Sequence, residues 1–448
     1  MNNHELRAMR IRKIILLFVF SIFIGKISAQ EYQYTLDSCI SLALQNNVAI
    51  KNQLLSIEAA KQTKNEALSK YFPNISAMGF AFKANDDILN ARLKLGTVML
   101  PYLNIPIQIP TIPLQILDQG MMGAVTAIQP VFYGLQIVYG NKLAKVGIEA
   151  NQLQLKLSQN EVSQKVEEYF WQIINLQEKL KTITVIEEQI GNIKKDAETA
   201  VEAGVIKPND LLTIEMKHQE LSSGKLKIEN GIKICKMLLR QYSGISEREF
   251  SISYDTLMPL EQPQNFYINP EDGLANRTEK QLLDRSVKAA QLQTKMEIGK
   301  HLPKAAIGAS YMGYDMDIAK NNFGVVFGSI SVPITDWWGG GHAIKKQKLN
   351  EQIAENEKQN ALEMMLVQIE QSWNELEEAY NQVLLAKKSI LSSTENLRLN
   401  QDYYEAGTTK LSDLLEAQTH FQNSQDLYIE SFTNYQVKIK EYLNLTGR

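Results

Sequence analysis

The stretch Glu202-Ala203-Gly204, followed after five residues by Asp210-Leu211-Leu212, returns 203 positions later as Glu405-Ala406-Gly407 and Asp413-Leu414-Leu415. Pro130 and Pro333 share that spacing. Further upstream the offset is 230: it separates Pro73 from Pro303, and Ala59-Ala60 from Ala289-Ala290. The offset therefore changes by 27 residues between Pro73 and Pro130, an interval that holds the Pro-, Leu- and Ile-rich segment 83–120. A tandem duplication with one insertion in the first copy accounts for both spacings. Periods of about 20–50 residues signal solenoids; a period near 200 implies two whole structural halves.

Both halves read alike. Helices are expected over 36–70, with a weak point at Asn46-Asn47, and over 270–300. Pro73 and Pro303 stop them. Strand-like runs follow at 74–82 and 123–132 in the first copy and at 304–314 and 323–334 in the second. Met78, Phe80 and Phe82 share a face, but so does Ser76, so the alternation is weak, as it is in membrane barrel strands. Two very long helices come next, 135–202 and 343–405. Leu362, Ile369, Leu376, Val383, Ile390, Leu397 and Tyr404 recur every seven residues, with Leu366, Trp373 and Tyr380 as a second seam. The first copy has Leu176, Ile183, Ile190 and Ala197. Sustained heptads predict coiled-coil packing. Gly204 and Gly407 stop these helices as C-caps. Returning helices are expected at 208–242 and 411–445, started with help from Asn209 or Ser412 and from Pro208 in the first turn. The repeated motif is the tip of a long helical hairpin, present twice.

Composition narrows the class. The chain has 448 residues, a formal charge of -3 and 22% charged residues. That near-neutral balance argues against nucleic acid as a partner. Twelve prolines and 24 glycines leave room for long helices. Arg7, Arg10, Arg12 and Lys13 precede an apolar run from Ile14 to Ile24 and the triplet Ile27-Ser28-Ala29. This order reads as a signal peptide over 1–29, since the run is shorter than the roughly 20 residues that span a bilayer. No later stretch reaches 18 apolar residues. A membrane-inserted mature chain must therefore use strands in a closed barrel. Four strands cannot close one, because the smallest such barrels have about eight. Three chains would pool twelve strands, together with twelve hairpin helices.

With the signal peptide, the tandem copies, the order helix–Pro–strand–strand–hairpin and the Ala-Gly-x5-Asp tips, the chain resembles outer-membrane efflux proteins of the TolC family. The most specific matches are Tyr404–Gln418 and Val332-Pro-Ile-Thr-Asp-Trp-Trp-Gly-Gly340. The resemblance covers essentially the mature chain. It implies a mostly α protein with membrane β: long coiled-coil hairpins plus four strands per chain, and a homotrimeric 12-stranded barrel continuous with an α-helical tunnel. It also implies a periplasmic adaptor and an inner-membrane pump as partners, outer-membrane lipid around the barrel, and a passive exit duct that changes nothing chemically. The domains expected are repeats at 30–243 (hairpin 135–243) and 271–448 (hairpin 343–446), joined by a segment at 244–270. The rival reading is a periplasmic coiled-coil adaptor or scaffold, although adaptors usually carry one hairpin rather than two.

Residue roles follow from the same resemblance. Asp413 and Glu416, spaced i, i+3 on one helix face, match carboxylates of the periplasmic aperture; the plainer reading of Asp413 is a solvated helix start. Tyr404, Asn209 and Asp210 match positions that link neighbouring hairpins. Thr409 stands where an arginine often joins those links, and the adjacent Lys410 is a point donor rather than a rigid fork. Gly204-Val205 and Gly407-Thr408 match adaptor-docking tips, while still serving as C-caps. The insertion 83–120 would be an outer loop folding over the barrel mouth, or else a partner-binding surface. Its Ile-Pro-Ile-Gln-Ile-Pro run is not expected to form an ordinary strand, since proline lacks a donor.

Chemistry is not expected. The histidines are scattered without metal spacing, no nucleophile elbow or phosphate loop is present, and no metal, cofactor or catalytic residue is assigned. Gly339-Gly340-Gly341 reads as a flexible strand-to-helix joint. Trp337 and Trp338 fit an interfacial aromatic girdle or core packing. Cys39 and Cys235 form either one disulfide or two free buried thiols.

Overall fold

The structure, a computed structural model, describes residues 32–85, 89–93, 97–99, 106–108, 112–116, 119–204, 206–254, 259–316, 319–334 and 336–448. The expected signal peptide and Val205 lie outside the described residues.

In chain order the elements are β1 (Gln33–Tyr34), α1 (Leu36–Asn46), α2 (Val48–Ser69), β2 (Asn74–Lys83), β3 (Leu89–Leu93), β4 (Thr97–Met99), β5 (Pro106–Gln108), β6 (Ile112–Ile116) and β7 (Gln119–Tyr133). Then come α3 (Gln136–Glu202), α4 (Pro208–Ser243), β8 (Ser251–Ile252), α5 (Pro270–Asn276), α6 (Thr278–Lys300), β9 (Lys304–Met316), β10 (Ala319–Ser331), α7 (Asp336–Glu405) and α8 (Leu411–Leu445). Helix α3 runs for 67 residues and α7 for 70.

Two compact units make up the chain. Residues 32–51, 158–276 and 366–448 form one; 52–157 and 277–365 form the other. Each unit draws on both sequence copies, so the units do not divide the chain where the duplication does.

The first unit is helical. Heptad residues Ile183, Ile190 and Ala197 of α3 are buried with Ile214 and Leu221 of α4. A Cβ on Gly224 would meet Ile183 at 2.9 Å, and one on Gly231 would meet Leu176 at 3.2 Å. Two glycines seven apart thus receive two knobs seven apart. On α7, Ile369, Leu376, Val383 and Leu397 are buried, but Leu366, Trp373 and Tyr380 are only half-buried. Trp373 and Tyr380 pack on that buried row and on Tyr442 and Tyr435, and a further row, Ser372, Ala379, Ala386 and Ser393, is buried as well. Small side chains there let a neighbouring helix approach closely. Segment 259–276 lies across α7 and α8: Leu260, Phe266, Ile268 and Leu274 pack on Ile369, Leu376, Tyr435 and Tyr442. The Tyr435 hydroxyl donates to Glu261 O at 2.7 Å, and Ile268 N donates to the Tyr442 hydroxyl at 3.3 Å. β1 pairs in parallel with β8. Cys39 and Cys235 are free and buried; burial pushes the Cys39 thiol up to about 11.

The weak point at Asn46-Asn47 is a true break. Asn47 is extended, its amide nitrogen donates to Tyr242 O at 2.9 Å, and its Oδ1 accepts from Ala49 N at 2.9 Å. Arg277, 230 residues later, is extended in the same way between α5 and α6.

The second unit carries an antiparallel sheet in the order β10-β9-β7-β2. Pro130 sits where the β7–β9 register shifts, between Pro130 and Phe132, the kind of irregularity that accommodates a residue without a donor. At the following turn Gly134 and Leu135 both adopt φ +59. A Cβ at Gly134 would lie 1.9 Å from Gly299 O, so only glycine fits this joint between β7 and α3.

Two expectations need correction. The insertion is not strand-free: β3 pairs with β6, with Arg92 opposite Pro113, and β4 pairs with β5, with Met99 opposite Pro106. In a two-stranded ladder both strands are edges, and a proline can face the open side. Gly339-Gly340-Gly341 is not a flexible joint either, because α7 already begins at Asp336. Gly340 is required by packing: a Cβ there would lie 2.5 Å from the His301 ring. Trp337 fixes the same corner by donating from Nε1 to His301 O at 3.0 Å.

Candidate functional site at the hairpin tips and the sheet faces

Both tips close on left-handed glycines, Gly204 at φ +73 and Gly407 at φ +71. At the second tip Thr408 N donates to Tyr403 O and Gly407 N to Tyr404 O, each at 2.9 Å. These are the two bonds of a Schellman cap. Gly204 N makes the equivalent bond to Val201 O at 3.0 Å. No atom lies within 4 Å of a Cβ built on either glycine, so both tips are open surface.

The return helices do not start as the sequence led us to expect. Lys207 and Lys410 occupy the cap positions without a side-chain cap bond. Asn209 and Ser412 fall inside the first turn. Asp210 and Asp413 occupy that turn as well, where a carboxylate meets the positive end of the helix dipole.

Asp413 is fully exposed and well organised. The Thr409 hydroxyl donates to Oδ2 at 2.8 Å, and the Ser412 hydroxyl to Oδ1 at 3.1 Å. These bonds, Thr409 first, hold its carboxyl below the usual range. Thr409, noted in the sequence for the arginine it replaces, thus has a role that spacing did not reveal. Glu416 is exposed one turn on, with Oε1 3.6 Å from His420 Nε2.

Tyr404 is half-buried against the cluster Leu397, Leu414 and Ala417, on which Ile193 and Phe421 also pack. Burial pushes its phenol up, and the charges of Asp210 and Asp196 push further. The structure therefore brings Tyr404 of the second hairpin beside Asp210 of the first. Asn209 is exposed, and its carbonyl accepts from the Thr213 hydroxyl at 3.0 Å. Gln418, one turn beyond Asp413, went unnoticed in the sequence. It is 1% exposed and neither amide atom finds a partner.

In the sheet, residues directly opposite one another share a face. One face carries Ile75, Ala77, Val125, Ala127, Ile307, Ala309, Tyr311, Val326 and Ile330. It is apolar and open: Val326 is 86% exposed, Ile330 79% and Ile75 70%. The other face carries Ser76, Thr126 and Ser310 in one row, where the Thr126 and Ser310 hydroxyls bond at 2.8 Å. On β9 Gly308 and Ser310 are buried while Ile307, Ala309 and Tyr311 are exposed. On β9 the Ser/Thr face is therefore the more enclosed of the two. The face of Met78, Phe80 and Phe82 is mixed; the opposite face is apolar over its middle rows and turns polar toward Asp315, Lys320 and Asn322. Trp337 and Trp338 are exposed at the helix end of this sheet. Among the described residues no helix is long and apolar enough to cross a membrane, and no His, Cys, Asp and Glu cluster could hold a metal.

No family model matches the chain, and no curated protein matches it. Solved structures do. The CmeC outer membrane channel of Campylobacter jejuni superposes with a TM-score of 0.76 at 15% identity, covering 92% of this chain and 85% of that one. The outer membrane protein VceC of Vibrio cholerae gives 0.71 at 12%, covering 92% and 96%. The open-state MtrE outer membrane channel of Neisseria gonorrhoeae gives 0.70 at 13%, covering 92% and 88%. At such low identity the likeness establishes the fold, and it does so over nearly the whole chain.

Proposed function

We propose, from the premise that this chain has the fold of the outer-membrane efflux channels, that it is the outer-membrane exit duct of a tripartite efflux or type I secretion system. One observation carries this reading: a four-stranded sheet with a broad exposed apolar patch on one face and two unpaired edges, β2 and β10. Sheet edges do not survive open in hydrocarbon. The edges are satisfied if β10 of one chain pairs with β2 of the next, and three chains then close a 12-stranded barrel. The helical hairpins of the three chains would continue it as a periplasmic tunnel, and cargo would pass through unaltered.

The tips supply the gate in this reading. Three copies of Asp413 and Glu416 form two stacked acidic rings at the aperture, where like charges repel and cations are held. Tyr404, Asn209 and Asp210 hold neighbouring hairpins together, and Gly204, Val205, Gly407 and Thr408 present the surface on which a periplasmic adaptor docks. The inner-membrane pump chooses the cargo.

Cell fractionation tests the whole reading. A heat-resistant trimer in the outer-membrane fraction is expected. A soluble monomer in the periplasm would overturn it in favour of a coiled-coil adaptor or scaffold.

A further inference from the structure

The Ser/Thr face of the sheet changes character along its length. Beyond the row Ser76, Thr126, Ser310, Val325 come Met78, Ala124, Met312, Phe323, then Phe80, Met122, Tyr314, Asn321, then Phe82, Gly120, Met316. No charged side chain stands in these rows. Phe80 and Phe82 stack at 5.8 Å. Phe82 and Met316 both lean over Gly120, where a Cβ would meet them at 3.2 and 3.0 Å. The charged pair at this end, Asp315 with Lys320 at 2.6 Å, is on the opposite face.

Resting on the exit-duct reading, we infer that these residues form an apolar collar in the outer half of the barrel lumen, which resists hydrated ions and favours apolar and aromatic organic molecules. Three observations support this. The opposite face is the one fit for lipid, running apolar from Ile330 to Tyr311. On β9 Gly308 and Ser310 of the Met/Phe-bearing face are buried while Ile307, Ala309 and Tyr311 of the other face are exposed, which favours the Met/Phe-bearing face as the inner one of a closed barrel. The hydroxyl-bearing row Ser76–Thr126–Ser310 is on the inner face too, and the collar begins just beyond it. A barrel of this size falls between small ones that side chains fill and porins that keep an aqueous channel. Inward methionines and phenylalanines from every chain line it there with apolar side chains, and apolar rings disfavour hydrated ions. Methionine suits varied cargo, because its unbranched thioether repacks around irregular shapes, and the rings add attraction for organic cations.

The collar predicts how the channel current is blocked. With the purified oligomer in a planar bilayer, tetraphenylphosphonium added on the outer side is expected to block potassium current at least tenfold more tightly than tetramethylammonium. The triple substitution Phe80→Ser, Met122→Ser, Met312→Ser is expected to bring that ratio close to one while the heat-resistant oligomer persists. If the variant does not assemble, the side dependence of the wild type decides: block must be tighter from the outer than from the periplasmic side. Equal block by the two cations in a conducting wild-type channel overturns the collar and leaves the duct standing. A folded oligomer that conducts nothing overturns both.

Discussion

At the residue scale, the tip shows how small polar groups set the behaviour of a charged one. Asp413 is exposed, and its lowered pKa rests chiefly on two hydroxyl donors, Thr409 ahead of Ser412, with a smaller contribution from Lys410. Hydrogen bonds to a carboxylate favour its charged form. The stabilisation is therefore present above the ordinary carboxylate pKa and is lost as pH falls through the lowered folded value. Replacing Thr409→Val together with Ser412→Ala is expected to raise the Asp413 midpoint toward the ordinary range, as followed by carboxyl-carbon NMR of labelled protein. A midpoint that stays where it was would mean that the helix N-terminus, not the hydroxyls, holds the charge. Gln418 lies nearby at the opposite extreme. It is buried, and neither amide atom has a partner among the described residues.

At the element scale, most of the architecture was legible because chain breakers are local. Pro73 and Pro303 end helices by steric clash, Gly204 and Gly407 end them by left-handed geometry, and Asn47 breaks one because its short amide can serve both flanks. The joint at Gly340 was not legible. Its three glycines read as flexibility, whereas Gly340 faces His301 across a space with no room for a methyl group. That constraint comes from a residue 39 positions away and leaves no trace in local composition. On α7 the large residues Trp373 and Tyr380 were legible from their spacing and do pack on the core, whereas the buried row of small residues, Ser372, Ala379, Ala386 and Ser393, carries no comparable signal in the sequence. At the tip, glycine caps and carboxylates were readable from spacing, whereas the roles of Thr409 and Gln418 depended on side-chain direction. Gly340→Ala should destabilise the corner by about 1–3 kcal/mol, the usual cost of overpacking. His301→Ala in the same chain should recover much of that loss, since contacting residues couple. Heat dissociation of the oligomer measures both, and two purely additive losses would show that the pair does not share the space.

At the scale of the whole molecule, the exit-duct reading turns on which face of the sheet would meet lipid. Val325 and Val326 are adjacent and chemically identical, yet they point to opposite faces: Val325 opposes Ser310, and Val326 opposes Ala309. A lysine on the lipid side near the bilayer midplane costs about 2–4 kcal/mol, whereas a lumen position tolerates charge. Val326→Lys is thus expected to reduce the heat-resistant oligomer in the outer membrane severalfold, and Val325→Lys to leave most of it assembled. The contrast within one dipeptide controls for strand propensity and expression, since both variants carry the same residue in the same strand. If Val325→Lys were the damaging change, the Ser/Thr face would be the one in contact with lipid. If both were harmless, the sheet would not be in a membrane at all, and its open edges would have to be covered by protein instead.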